Sequence, residues 1–187
     1  SVVGGGQPKG ICGSGIVDTI AALLRAGVLD ENGLMRAEQP FADRIIHETD
    51  GSLKFMLAPG LFLTQKDIRA VQLAKGALRC AVDALLDEAG AVASQIDAVY
   101  LAGACGTSLR VENALEIGLV PPIAPAMVKQ VGNGAIQGAK AILLSACAKA
   151  EAERLAKAIR HVDLASLEDF QDRFLACLSF GPGLGRA

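Results

Sequence analysis

Two stretches constrain this chain more than any others. In "DAVYLAGACGTS" (97–108) an apolar strand runs into a glycine turn with a helix following over 110–117, and in "VKQVGNGAIQGAKAILLS" (128–145) a strand runs into a glycine turn that opens a helix. Strand–turn–helix units point to α/β architecture rather than a helical bundle or an all-β sandwich. The flanking segments agree. Ile16, Val17, Ile20, Leu23 and Leu24 recur at helical spacing over 14–26, and Gly27 supplies a stop. "DENG" at 30–33 reads as a turn, and "DRIIHETDGSLKFMLAPG" carries two short β-like runs around an Asp-Gly hairpin signal. Thr64 is a good N-cap, with Asp67 at the capping-box position, for a helix over 65–89. A helix over 110–117 ends at Gly118, a long helix spans 135–160, and "SLEDFQDRFLACL" forms a closing helix. The order is helix, hairpin, helix, strand, helix, strand, helix. This predicts a lobe over 1–33 and 91–187 with an inserted α+β subdomain over 34–90 that holds the hairpin and connecting helix. Residues 1–10 read as a strand end and a glycine turn, so the chain reads as a fragment of a larger α/β unit.

Composition narrows the function classes. The chain has 187 residues, is 51% hydrophobic, and carries six Phe, one Tyr and no Trp. That suits helices packed on a sheet better than a stacking surface for single-stranded nucleic acid. A net charge of −2 with interspersed signs leaves no basic footprint for nucleic acid or an anionic membrane. "GIVDTIAALL" and "AILLSACAKA" are too short to span a bilayer, and the first ten residues lack a secretory signal pattern, so a cytoplasmic location is expected. The cysteines at 12, 80, 105, 147 and 177 form no C-x-x-C and accompany only two histidines. This predicts no metal site and a role for the cysteines as buried small apolar residues.

The glycine loops fail the familiar phosphate patterns. Gly5 and Gly10 have P-loop spacing, but Ile11 stands where the lysine belongs. Gly13 and Gly15 are followed by Asp18 where a dinucleotide fingerprint needs glycine or alanine. Gly132, Gly134 and Gly138 make a loosened fingerprint with no acidic partner about 20 residues on. At Ala102-Gly103-Ala104, small residues would let a flat ligand lie on the backbone. Gln72, Lys75, Gly76 and Arg79 share one helix face, which is either a solvated surface or the wall of a ligand slot.

Taken together, "PKGICGSGIVDTIAALLRAGVLDENG", "LTQKDIRAVQLAKGALR", "VYLAGACGTSL" with "ALEIGLVP", and "VGNGAIQGAKAILLS" resemble the C-terminal part of the reductive activators of corrinoid proteins. These are ATP-dependent iron–sulfur proteins of the superfamily that unites actin, sugar kinases and heat-shock chaperones. The resemblance implies a ribonuclease H-like lobe that binds ATP with Mg, while a [2Fe–2S] cluster sits on a separate N-terminal domain. It implies that a corrinoid protein of a methyltransferase system is the partner, returned from Co(II) to Co(I). Gly103, Ala104 and Gly106 would approach the nucleotide, with Gln72, Lys75 and Arg79 facing adenine and ribose and Gly132 and Asn133 on the nucleotide side. Gly13, Ser14 and Gly15 would lie beside the phosphate region, and Cys12 would be structural. The family usually carries an aromatic where this chain has Cys105 and an alanine where it has Gly134. The residues that hold phosphate and metal would lie upstream, and the resemblance names no catalytic base here.

Two other readings use the same residues. One is another ATPase or kinase of the superfamily, such as a dehydratase activator or small-molecule kinase. The other is a docking or dimerisation lobe that uses the alanine-rich face over 135–160, although packing within the lobe explains that stripe equally well.

Overall fold

The computed structural model describes residues 5–37 and 41–181, the side chains of Ala104 and Cys105 excepted. The part of the opening strand end expected over 1–4 lies outside them. Helix α1 (Gly13–Arg25) buries Val17, Ile20, Ala21 and Leu23, the stripe its sequence spacing predicts. A three-stranded antiparallel sheet follows, of β1 (Ile45–His47), β2 (Leu53–Ala58) and β3 (Leu61–Thr64) in that order. The β1–β2 turn falls at the Asp-Gly signal, where Glu48 N donates to Ser52 O. β3 is an addition to the expected hairpin. "LFLT" is too short to declare its period, and it becomes a strand by pairing Leu63 with Phe55 and Phe62 with Met56.

Helix α2 (Gln65–Glu88) starts where the capping box places it. Thr64 accepts from Asp67 N, and Asp67 in turn accepts from Thr64 N. Beyond it, β4 (Val99–Ala102) pairs in parallel with β5 (Val128–Gly132), with Leu101 opposite Gln130. Between these strands lie α3 (Ala104–Ser108), a helical turn the sequence did not announce, and α4 (Val111–Glu116). The apolar composition of β4 does not make it a buried strand: it is half-buried, with Tyr100 60% exposed.

The long helix expected over 135–160 is two. α5 (Gly134–Leu144) stops at Ser145, whose extended backbone and hydroxyl cap α6 (Ala146–Ala158) by accepting from Ala148 N. The stripe on this pair does not pack into the lobe: neither helix has a buried residue, and Leu143 and Leu144 are each 84% exposed. α7 (Phe170–Ala176) closes the element order and packs against α2.

The core draws on α1, the 28–35 turn, the antiparallel sheet and the first turns of α2, together with Ile117 and Phe180. Ile20, Leu63, Ile68 and Ile117 are at most 1% exposed. Of the four described cysteines only Cys80 is buried. Cys177 is half-buried and Cys12 and Cys147 are exposed, which corrects the expectation that all pack as small apolar residues. No described helix is long and apolar enough to cross a membrane.

Candidate functional site

The predicted site residues fall into two groups. The first collects at the carboxyl ends of β4 and β5. Parallel pairing of the two strands brings both glycine turns to the same end, where ligands of open α/β sheets bind. Gly103 N donates to Gly132 O at 2.7 Å, tying one turn to the other. Gly103 sits at φ 95°, ψ 171°, a conformation reserved for glycine, and from there the chain enters α3. Gly106 packs against Leu101, and its carbonyl accepts from Gln130 Nε2 at 2.6 Å. Asn133 caps α5, its side-chain oxygen accepting from Ile136 N at 3.1 Å. Ala104 is the first residue of α3. The side chains of Gln130 and Gln137 tie this end together, Gln130 Nε2 donating also to Leu109 O at 2.6 Å and Gln137 Nε2 to Val131 O at 3.2 Å.

The second group, on α2, is not the solvated surface that one reading of its sequence allowed. Gln72, Lys75 and Arg79 are buried, at 3%, 3% and 5% exposure. Gln72 Nε2 donates to Asn32 O and to Leu178 O, both at 3.1 Å. Lys75 Nζ donates to Ser179 O and lies 5.8 Å from the centre of the Phe180 ring. Arg79 Nε reaches both carboxylate oxygens of Asp83, at 2.9 and 3.0 Å. Burial, with Arg79 nearby, draws the Lys75 ammonium down to about 8, because charge is costly away from water. The "DENG" turn and the segment after α7 therefore supply the carbonyls that satisfy this polar face.

Sequence reasoning missed those accepting carbonyls, of Asn32, Leu178 and Ser179, because backbone oxygens leave no signature in a residue string. It also missed Asn113, a buried side chain that accepts from Arg25 at 3.0 Å and donates to Asp18, joining α4 to α1. Cys12 is not a packed structural residue. It stands exposed at the N-cap of α1 with its sulfur 3.4 Å from Ser14 Oγ, and that hydroxyl, then Gly15 N–H, hold its thiol below the ordinary value.

No group of three or more His, Cys, Asp or Glu able to hold a metal ion occurs among the described residues. The described cysteines lie on separate elements: the α1 cap, α2, α6 and the turn after α7. This donor set does not fit an iron–sulfur cluster, which needs four convergent thiolates or their replacements.

A parallel strand pair with two glycine turns at its carboxyl end is an α/β arrangement, and in open sheets of this class ligands bind at that end. Residues 1–182 match the family described as the C-terminal domain of RACo, the ASKHA domain. The chain belongs to that family, and ASKHA domains are a nucleotide-binding class. It is 33% identical over 194 residues to the corrinoid activation enzyme RamQ of Eubacterium limosum, covering 97% of this chain and 33% of that protein. It is 27% identical over 183 residues to the [Co(II) methylated amine-specific corrinoid protein] reductase of Methanosarcina barkeri, covering 94% of this chain and 30% of the relative. Among solved structures it matches a reductive activator for corrinoid, iron–sulfur protein with a TM-score of 0.85 and 34% identity, over 97% of this chain and 30% of that one. The chain spans about a third of the length of the relatives it matches.

Proposed function

We propose that this chain is the nucleotide-binding domain of an ATP-dependent activator that returns a Co(II) corrinoid protein to Co(I). The observation that carries the reading is the meeting of the two glycine turns, through Gly103 N and Gly132 O, at the ends of β4 and β5 within a domain of this family. Gly103 and Ala104 would carry the adenosine, and bare backbone there lets a flat ring approach closely. Gln72, Lys75 and Arg79 would face adenine and ribose from α2, offering amide, ammonium and guanidinium donors. Mg would bind with the ATP phosphates through residues outside this chain. The electron that reduces cobalt would arrive through a [2Fe–2S] domain elsewhere in the full-length protein, and ATP turnover would drive that uphill transfer.

The deciding experiment mixes the anaerobic full-length protein with a reductant and a Co(II) corrinoid protein, and follows the cobalt absorbance with and without Mg-ATP. The expected result is Co(I) only when ATP is present. ATP turnover without Co(I) would instead place the protein with the kinase-like members of the superfamily.

A second reading, a docking or dimerisation lobe, has one observation in its favour. Leu143, Leu144, Leu155 and Ile159 are exposed apolar side chains on α5, on α6 and at its C-cap. It predicts full corrinoid activation when Gly103 is replaced, and loss of assembly when these side chains are made polar.

A further inference from the structure

The polar face of α2 is closed by the chain itself. Past α7, residues 178–181 lie along it: Leu178 and Ser179 present carbonyls to Gln72 and Lys75, and Phe180 sets its ring near the Lys75 ammonium. Gly76 makes room for this path, since a Cβ there would stand 2.9 Å from Leu178 Cδ2 and 3.2 Å from Cys177 O. Gly118 does the same on the other side, because a Cβ on it would collide with Gly181 O. The segment is pinned at its far end by Phe180 N donating to Glu31 O at 2.7 Å, with the Phe180 side chain 5% exposed.

We propose that residues 178–181 are an occluding strap, which must lift from α2 before a nucleotide can engage Gln72 and Lys75. This rests on the reading of α2 as the adenine- and ribose-facing wall. The chemistry favours displacement over coexistence. The Gln72 amide and the Lys75 ammonium are the donors a ribose or adenine would use, and each gives a bond to a strap carbonyl. A ligand would replace those two acceptors, while lifting the strap also uncovers Phe180 and breaks its bond to Glu31 O, a cost that the binding energy of the nucleotide has to exceed. A closed strap lowers apparent nucleotide affinity by the fraction of molecules that are open, so whatever loosens it tightens binding.

The test uses the full-length protein and ADP. In the wild type, hydrogen exchange at the amides of 178–181 is compared with and without saturating ADP. The strap predicts faster exchange in the presence of ADP, and unchanged or slower exchange would overturn it. Calorimetric titration with ADP then compares wild type, Phe180→Ala, Ser179→Pro and Lys75→Met. The strap predicts about threefold or greater tightening for the first two variants and weakening for Lys75→Met. Weakening by Lys75→Met with no tightening by either strap variant would sink the strap while leaving the α2 reading in place. Unchanged affinity in Lys75→Met and in Gln72→Leu would overturn the α2 reading, and the strap with it. The exchange measurement needs no substitution, so it decides the matter even if Phe180→Ala fails to fold.

Discussion

Lys75 is the residue on which the most chemistry converges. At 3% exposure its ammonium stands at about 8 against an ordinary 10.5. Between those values the unfolded chain binds more protons than the folded one, so stability rises with pH as the buried charge is relieved. Cys80 and Cys177, both pushed up by burial, act in the opposite direction once pH passes the ordinary thiol value of 9.0. Cys12, whose thiol is held low, adds to the rise below 9, so it is the comparison with a lysine variant, in which the thiol contributions cancel, that isolates Lys75 between pH 7.5 and 9. Denaturant unfolding of wild type against Lys75→Met should show the wild type gaining about 1 kcal/mol more across that window. Equal slopes would mean that the ammonium is not desolvated. Gly103 is the second residue whose identity is set by position: its backbone geometry penalises any side chain. Gly103→Ala should cost about 1–3 kcal/mol in chemical denaturation and weaken ADP binding in the full-length protein. Gly134→Ala is the control: its Cβ would meet Ala102 at an ordinary 3.7 Å, and both readouts should stay near wild type.

Among the elements, the side-chain caps that start α2 and α6 invite direct measurement. Thr64 and Asp67 exchange two bonds at the head of α2, the helix that carries the polar face. Thr64→Ala should lower stability by about 1 kcal/mol, read as a fall in the urea midpoint with an unchanged slope. This start was legible in the sequence because a capping box is local and needs only residues three apart. The break at Ser145 was not. "LLSACAKA" has unbroken helical spacing, and a serine inside a helix and a serine capping the next one look alike in a string. Ser145→Ala removes the bond to Ala148 N and should favour one continuous helix, raising helical circular dichroism. Unchanged dichroism would assign the break to packing and not to the cap.

At the scale of the whole molecule, burial is uneven. The core lies under α1, the antiparallel sheet and the start of α2, while β4, β5, α5 and α6 contribute none of its buried members. Leu143, Leu144, Leu155 and Ile159 are large apolar side chains exposed on α5, on α6 and at its C-cap. Replacing Leu143 and Leu144 by Gln should reduce self-association of this chain in sedimentation, and unchanged self-association would mean that these two side chains are not a contact between copies.

What the sequence determined by itself was local or periodic. It held the α1 stripe, the Asp-Gly hairpin, the α2 capping box, the two strand–glycine–helix units and the family pattern spread across them. Short-range hydrogen bonding and side-chain period set these, and both survive in a string of residues. Only the tertiary structure decided that the two glycine turns meet through Gly103 N and Gly132 O, because parallel pairing joins strands about 30 residues apart. It also decided that the polar face of α2 is covered. The bonds that cover it run from Gln72 and Lys75 to backbone carbonyls more than 100 residues away, and a carbonyl is the one group that every residue shares.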